Sequence, residues 1–371
     1  MKFKYPTLLF LTLLSTQLCI AQLNPKIAPI IAAFGQRINN DLAKDNIHGS
    51  ISVAIMKDDQ IIWSGAFGYA NSKTDTLANT SNIYRIGSIT KIFTSTLMMQ
   101  LVEEGRIKLD DPVENYLPEI KNLDGYANLG TKITFRQLAS HTAGLKREPD
   151  LSGASVGPLD QWEAKLLTCI PKTGFVGKPG GQFLYSNMGV AILGLALQRI
   201  TGVPYMQMVQ QRILTPLHMN DTFFALPDDK RSRMAEGMEN SNGKVNTKLP
   251  LSDLKGRGYR VPNGGIFSTP TDLAKFAFSL QGKPALLTAK SRKIMQEIPD
   301  GGENYGLGLM IIKKRGLNII GHDGSVPGYT ADLAIEQNSG YAVILMRNYN
   351  KGATNLVGAS NILLEELKKM D

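Results

Sequence analysis

Both ends of the chain carry patterns typical of short strands and one helix. Two apolar runs within 49–71, GSISVAIMKDDQIIWSGAFGYAN, are joined by a pair of aspartates and predict a β-hairpin. Near the other end, apolar runs separated by Gly and Asn predict strands at 305–312, 318–324, 329–337 and 341–348. Helical spacing is present at 24–44 and at 353–370, and the second helix has two lysines in its last turn, where they complement the helix dipole.

The middle of the chain has a different pattern. Its apolar positions repeat with helical spacing, and loops rich in Gly, Pro and Asn join the predicted helices, which are 88–104, 134–140, 160–167, 187–200, 205–214 and 270–279. We therefore predict an α+β fold, in which one antiparallel sheet forms from both chain ends, is flanked by helices and carries an inserted, mostly helical domain. Such a layout leaves a groove between sheet and helices, where ligand sites tend to lie.

The domain boundaries follow from this division. We predict a single unit over 22–371, with 22–86 and 300–371 forming the sheet part and 87–299 the mostly helical part. Residues 1–21 have a charged start, a short apolar run and small residues near Ala21, which is typical of a secretory signal peptide. Cys19 offers a lipoprotein anchor as the alternative, but Gln17 and Leu18 before it are not the small residues that such a cleavage site prefers.

The apolar run of the signal peptide is too short for a transmembrane helix, which needs ~20 residues. No other segment of the sequence has a pattern that could span a membrane. We therefore expect a secreted or periplasmic protein with no integral membrane segment after signal cleavage. Removal of the signal peptide leaves Cys169 as a lone cysteine, so no internal disulfide is expected.

Charge and composition exclude several classes of partner. The net charge is +9, but Lys and Arg are scattered and are not interleaved with aromatic residues, so nucleic-acid binding is not expected. The four histidines and the remaining cysteine are too dispersed for a zinc site. We expect no cofactor and no metal, and the expected partner is a small-molecule or peptide substrate. The sequence does not indicate an oligomeric state.

The segment RIGSITKIF at 85–93 carries the first candidate chemistry. Ser88 and Lys91 are three residues apart at the start of a predicted helix, so their side chains lie on one helical face. The nearby backbone N–H groups and the positive end of the helix dipole favour an oxyanion. The alternative is an ordinary amphipathic helix with Ser88 as its N-cap.

Two further segments have a structural and a functional interpretation each. In FLYSNMG, Tyr185 is either a half-buried aromatic residue or a phenol that exchanges a proton with Ser88. Asn187 either caps the following helix or offers its amide to a substrate. The segment GHDGSVPGY at 321–329 is either a Gly-rich turn or an edge strand that lines a cleft and completes an oxyanion hole.

The order of these motifs is more specific than any one of them. The chain has Ser-x-x-Lys on the first helix of the middle part, then Tyr-x-Asn, and His-x-Gly on a late strand. This order is similar to the motif set of serine β-lactamases and penicillin-binding proteins. The sequence closely resembles the class C branch of that superfamily, which includes class C β-lactamases, DD-peptidases, D-aminopeptidases and related esterases. The resemblance runs from Ser50 to Asn348 and includes the segments 102–120, 138–145 and 263–277. It implies a β-lactamase/transpeptidase-like fold.

The resemblance also implies a role for each motif residue. Ser88 would be the acylated nucleophile, Lys91 and Tyr185 would transfer its proton, and Asn187 would bind the substrate's amide. The backbone N–H groups of Ser88 and Ser325 would form the oxyanion hole. The strand motif facing the substrate would consist of His322, Asp323 and Gly324. Either Lys91, with its pKa lowered, or a Tyr185 phenolate could act as the base. His141 in the hallmark segment is expected to brace the structure.

The third motif departs from the Lys-Thr-Gly that β-lactamases of this family usually carry. A mostly neutral His322 followed by Asp323 makes a poorer site for a substrate carboxylate. If Asp323 faces the cleft, it would repel a carboxylate and attract an amine. If it faces away, it is an ordinary strand residue, and this second arrangement is the favoured expectation. Efficient β-lactam hydrolysis is therefore not expected.

The expected function is that of an exported serine hydrolase that forms an acyl-enzyme at Ser88. Its expected substrates are amides or peptides of the D-amino-acid or peptidoglycan-like class. The alternatives are a carboxylesterase, a class C-like β-lactamase and a non-catalytic binding protein with the same fold.

Overall fold

The computed structural model describes residues 25–241, 244–282 and 286–371. Within these ranges the strands are β1 (Ser50–Lys57), β2 (Gln60–Asn71), β3 (Thr76–Leu77), β4 (Tyr84–Arg85), β5 (Glu239–Ser241), β6 (Lys244–Asn246), β7 (Phe267–Ser268), β8 (Met310–Lys314), β9 (Leu317–Val326), β10 (Tyr329–Glu336) and β11 (Tyr341–Arg347). The predicted signal peptide lies outside the described residues.

The helices in the same ranges are α1 (Ala28–Asp45), α2 (Thr90–Glu103), α3 (Phe135–Ala139), α4 (Trp162–Cys169), α5 (Asn187–Thr201), α6 (Tyr205–Val209), α7 (Lys248–Asp253), α8 (Val261–Gly264), α9 (Pro270–Gln281), α10 (Ala289–Met295) and α11 (Leu356–Lys368). A π-helical segment, Gln210–Leu214, continues α6. In the parts of the chain that the structure describes, no helix combines the length and the apolar character needed to cross a bilayer.

One seven-stranded antiparallel sheet organises the molecule. Its strand order is β3-β2-β1-β11-β10-β9-β8, so the N-terminal hairpin and the C-terminal strands meet where β1 pairs with β11. All residues of β11 and nearly all of β1 are buried, because these central strands are covered on both faces. This arrangement confirms the predicted α+β fold with a sheet formed from both chain ends. The predicted domain boundaries stay a prediction.

The two faces of the sheet carry separate apolar layers. Phe34 of α1 and Leu364 of α11 pack with Leu345 on one face. Ile344 and Met346 belong to the larger cluster on the other face, which the helices of the middle segment supply. Successive side chains of a strand point to opposite faces. Alternate residues of β11 therefore pack against the terminal helices on one face and against the helical part on the other.

One predicted strand begins later than expected. The pattern at 305–312 predicted a strand from Tyr305, but β8 begins at Met310. Gly308 lies in the left-handed region, with a φ of +75°, and its N–H donates to the carbonyl of Ala139. The chain therefore turns before β8, and this turn places Tyr305 beside His322 of β9. The short elements β3 to β7, α7, α8 and α10 were not predicted.

Candidate active site

Ser88 lies in a single 3₁₀ turn, Gly87–Ile89, that leads directly into α2. Gly87 has a φ of +53°, a conformation that glycine adopts without steric cost. A Cβ atom on Gly87 would lie 2.7 Å from the backbone nitrogen of Ser325 on β9. The glycine therefore allows the turn that carries Ser88 to approach β9 at backbone distance.

The Ser88 hydroxyl lies between an amine and a phenol. Its Oγ is 2.9 Å from Nζ of Lys91 and 2.8 Å from the hydroxyl oxygen of Tyr185. Lys91 reaches it from the next turn of the same helix, whereas Tyr185 comes from the segment before α5. The structure thus brings together the three side chains for which the sequence predicted proton exchange.

Lys91 is fully buried, and its amino group also donates to the backbone carbonyl of Asn263 at 3.0 Å. Burial holds the pKa of Lys91 well below its ordinary value, and the nearby guanidinium groups of Arg147 and Arg257 lower it further. Both effects disfavour the ammonium form. The neutral form of the amine is therefore favoured, and in that form it can accept a proton.

A cluster of buried charges lies beside Lys91. The guanidinium groups of Arg85 and Arg257 share one carboxylate oxygen of Asp253, at 3.2 Å and 3.3 Å. Arg257 also donates to the carbonyl of Gly264, the residue after the one that holds the Lys91 amine. One carboxylate faces two guanidinium groups, so the cluster has a net positive charge. This charge disfavours the ammonium form of the nearby Lys91.

Tyr185 keeps its proton at neutral pH. Burial raises the pKa of Tyr185 to about 12, although the hydrogen bond to Ser88 and the charge of Arg147 act in the opposite direction. Arg147 is exposed, and its guanidinium carbon lies 4.8 Å from the centre of the Tyr185 ring. The protonated phenol therefore donates its hydrogen bond to Oγ of Ser88.

His141 supports this tyrosine from behind. Its buried ring lies 4.3 Å from the Tyr185 ring, and its Nδ1 accepts a hydrogen bond from the backbone N–H of Ser186. Burial holds the pKa of His141 well below its ordinary value. The neutral ring fixes the backbone next to Tyr185, in keeping with the bracing role expected from the sequence.

Asn187 begins α5, but its amide is already engaged. Its Nδ2 donates to Glu148 at 2.6 Å, and its backbone carbonyl accepts a hydrogen bond from the Asn263 side chain at 2.7 Å. Glu148 also pairs with Arg260 at 2.7 Å and accepts a hydrogen bond from Tyr259. Asn187 therefore connects the loop that carries Glu148 to α8, and its contact with a substrate stays a prediction.

The strand β9 passes directly against the turn that carries Ser88. A Cβ atom on Gly324 would lie 1.9 Å from the carbonyl oxygen of Ile86 and 3.2 Å from the backbone nitrogen of Ser88. Only glycine fits such an approach of two backbones. Together with the contact between Gly87 and Ser325, this packing brings the backbones of Ser88 and Ser325 close together.

His322 is buried beside the same cleft. Burial lowers its pKa to about 4, against the opposing charge of Asp323, so the ring is neutral at pH 7. Burial also holds the pKa of Tyr305 well above its ordinary value. The Tyr305 hydroxyl therefore donates to Nε2 of His322 at 3.0 Å, and Nδ1 then donates to the backbone carbonyl of Asp323.

The Ser88 hydroxyl opens into a cleft of about 370 Å³. Its lining residues are Ser88, Arg147, Phe183, Tyr185, Tyr305, Met310, His322, Asp323 and Ser325. The favoured expectation that Asp323 faces away from the cleft is therefore wrong, because β9 packs against the Ser88 turn and the half-exposed Asp323 side chain lines the cleft. Lys91, Asn187 and Gly324 lie behind this lining.

Sequence reasoning missed several of these residues. Arg147 and Glu148 follow the hallmark segment 138–145, and Phe183 precedes Tyr185 by two positions, so proximity to a motif was the available signal. Tyr305 and Met310 had no such signal, because the turn before β8 brings them to the site. The described residues contain no group of three or more His, Cys, Asp or Glu side chains that could hold a metal ion.

The chain is similar to known proteins in sequence and in fold. The model of the Beta-lactamase family matches residues 35–366. Beta-lactamase-like protein 4 of Dictyostelium discoideum is 30% identical over 324 residues, which are 80% of this chain and 56% of that protein. The chain spans between 49% and 62% of the lengths of the curated relatives it matches.

Two solved structures are similar over most of the chain. The octameric penicillin-binding protein homologue from Pyrococcus abyssi has a TM-score of 0.75 and 26% identity, and the match covers 91% of this chain and 77% of that one. The D-stereospecific amidohydrolase from a Streptomyces species has a TM-score of 0.71 and 27% identity, with 89% and 98% covered.

Proposed function

Because the chain belongs to the Beta-lactamase family, we propose that it is an exported serine hydrolase that forms an acyl-enzyme at Ser88 and cleaves amides or peptides of the D-amino-acid or peptidoglycan-like class. The likeness to a D-stereospecific amidohydrolase supports an action on amides. The observation that carries the proposal is the position of the Ser88 Oγ, 2.9 Å from a buried amine and 2.8 Å from a protonated phenol.

Lys91 is the base that activates Ser88. A serine hydroxyl is a weak nucleophile until a base takes its proton. Burial and the nearby guanidinium groups favour the neutral form of the Lys91 amine, whereas the Tyr185 phenol, with a pKa of about 12, is a poor source of phenolate at neutral pH. Ser88 therefore donates its proton to Nζ of Lys91 as its Oγ attacks the carbonyl carbon of the substrate.

The backbone N–H groups of Ser88 and Ser325 stabilise the oxyanion that forms in this step. The close packing of Gly87 and Gly324 between the two backbones supports this assignment. Each such donor contributes about 3–4 kcal/mol to the transition state, judged from the removal of single donors in other hydrolases.

Tyr185 completes the proton route. When the tetrahedral intermediate collapses, the Tyr185 hydroxyl gives its proton to the leaving nitrogen and takes one back from the Lys91 ammonium. A water molecule then attacks the acyl-enzyme, its proton passes to the same pair, and the carboxylic acid leaves as Ser88 recovers its hydrogen. The neutral His322 supplies no charge for a substrate carboxylate, which disfavours efficient β-lactam hydrolysis.

A carboxylesterase is the second candidate. The side chains of Phe183 and Met310 line the cleft beside Ser88 and offer apolar contacts to an acyl chain. The same acyl-enzyme route would serve an ester, whose leaving group needs less help from a general acid. Comparison of kcat/KM for matched esters and amides separates the two activities.

The nucleophile is tested by intact-mass spectrometry after treatment with a fluorophosphonate. We expect one adduct on the wild-type protein and none on Ser88→Ala. Ser252→Ala changes an exposed serine outside the cleft and serves as the matched control, which should label like the wild type. An adduct that persists in Ser88→Ala, or an unlabelled wild-type protein, would overturn the proposal and favour a binding protein.

Export is tested separately. The sequence pattern of residues 1–21 supports it. In an expressing bacterial host, we expect the protein in the periplasm or medium with Gln22 as its first residue. An N-terminus that still contains residues 1–21 would contradict cleavage.

A further inference from the structure

The carboxylate of Asp323 is an uncompensated negative charge in the cleft. Its side chain is 51% exposed, and its ion-pair contact among the described residues is Nδ1 of His322 at 3.7 Å. The His322 imidazole carries no positive charge at pH 7, because burial lowers its pKa to about 4. The Nδ1 hydrogen is moreover engaged by the backbone carbonyl of Asp323.

Several other exposed carboxylates form ion pairs. Asp110, for example, accepts two hydrogen bonds from Arg136, at 2.7 Å and 2.8 Å. An anion without such a partner at the rim of a reactive cleft is placed to bind a cation of the substrate. The guanidinium carbon of Arg147, the cation in the same lining, lies 4.8 Å from the centre of the Tyr185 ring, and the ion pairs of the described residues do not include one between Arg147 and Asp323.

The position of Asp323 along β9 fixes how far that cation lies from the reacting bond. Asp323 precedes Ser325 by two residues, which is about 6.6 Å along a strand, and both side chains are exposed on the same side of β9. An α-amine lies about 2.5 Å from its carbonyl carbon, by standard bond lengths. An ion-pair hydrogen bond adds about 2.8 Å. These two lengths add to about 5.3 Å, which is comparable with the spacing of Asp323 and Ser325, so the geometry suits an ion pair between the Asp323 carboxylate and the α-ammonium of an acyl group held at Ser88.

We propose that Asp323 binds the protonated α-amine of the substrate, so that the enzyme prefers amides, peptides or esters of amino acids whose amine is free. This inference rests on the proposed hydrolase function. Arg147 contributes to the orientation, because it repels an ammonium group and matches a carbonyl or carboxylate oxygen. A substrate that enters in the reverse orientation would place its ammonium beside this guanidinium.

The test uses hydrolysis of p-nitrophenyl acetate, a neutral ester, with alaninamide or N-acetylalaninamide as competitors, each as the D and the L form. With the wild-type protein, we expect the free amine to compete about twofold to fivefold more strongly than its acetylated form, as suits a half-exposed ion pair. The difference should decline as the pH rises above the amine's pKa. The D/L comparison shows which stereoisomer the cleft prefers.

Variants assign the preference to one residue. Asp323→Asn should remove the difference between the free and the acetylated competitor, and Asp323→Glu should retain part of it. Asp160→Asn, at an exposed aspartate outside the cleft, is the matched control and should retain all of it. Equal competition in the wild type, or an unchanged preference in Asp323→Asn, would overturn this inference alone. Absence of ester hydrolysis in the wild type would instead contradict the proposed function.

Discussion

Arg147 and Lys91 are two basic groups on the same aromatic ring. The Arg147 guanidinium carbon lies 4.8 Å and the Lys91 Nζ 4.9 Å from the centre of Tyr185. These distances allow a separation of at most about 10 Å, and at that separation the repulsion of two unit charges is about 0.4 kcal/mol in water and about 1.7 kcal/mol at an effective dielectric constant of 20, which are lower bounds for each medium. Replacement of Arg147 by Gln should therefore raise the pKa of Lys91 by about 0.3 to 1.2 units. Since Arg147 is exposed, we expect the lower part of that range.

The sign follows from the form of Lys91 that acts as base. The neutral amine is active, and nearby cations keep its pKa low, so the loss of a cation moves the acid limb of kcat/KM to higher pH. The assay is kcat/KM for p-nitrophenyl acetate against pH, because its acid limb reports the pKa of the base in the free enzyme. Arg147→Lys keeps the charge and should leave the limb in place. A limb that does not move in Arg147→Gln, or moves equally in Arg147→Lys, would refute the reasoning.

Three further predictions concern packing and buried charge. Gly324→Ala forces the backbones of β9 and the Ser88 turn apart and should lower kcat/KM about 100-fold or more. Gly358→Ala on α11, where an added Cβ would make only ordinary van der Waals contacts, should leave kcat/KM unchanged. Asp253→Asn removes the carboxylate that faces two buried guanidinium groups and should lower the free energy of unfolding in urea by about 3–5 kcal/mol. Asp228→Asn, at an exposed position, should lower it by less than about 1 kcal/mol. Equal losses in the two variants would contradict the role of the buried cluster. Burial raises the pKa of Asp332 from 3.8 to about 7, so the folded state favours its protonated form and wild-type stability should fall as pH rises between these values. The fall amounts to about 4 kcal/mol in the free energy of unfolding, and the Asp332→Asn variant should lack it. If this free energy changes with pH in the same way in the wild type and the variant, Asp332 does not titrate as described.

The sequence predicted the parts of the site that depend on neighbours along the chain. Ser88 and Lys91 are three residues apart, and any helix through them brings their side chains together. The hydrophobic periodicity of β1, β2 and β11 likewise depends on the local backbone repeat, and these strands lie where the pattern placed them. The association of Tyr185 with Ser88 was inferred from resemblance, because no local rule connects two segments so far apart.

The parts that sequence reasoning missed depend on contacts between distant segments. The alternation along β9 did not show that Asp323 lines the cleft, because that depends on how the strand packs against the turn at Ser88. The turn at Gly308 moved Tyr305 out of a predicted strand and next to His322. Glu148 engages the amide of Asn187, a contact that no spacing in either segment indicated.

The sequence by itself determined which segments form helices and strands and which side chains carry reactive groups, because periodicity and residue chemistry are properties of the local chain. The tertiary structure decided the state of those groups. It buried Lys91, placed Arg147 and Arg257 close enough to favour its neutral amine, and left the neutral His322 as the ion-pair contact of Asp323 among the described residues. Burial and charge act through space, so the protonation state of Lys91 and the charge presented to a substrate depend on which distant segments the fold brings together.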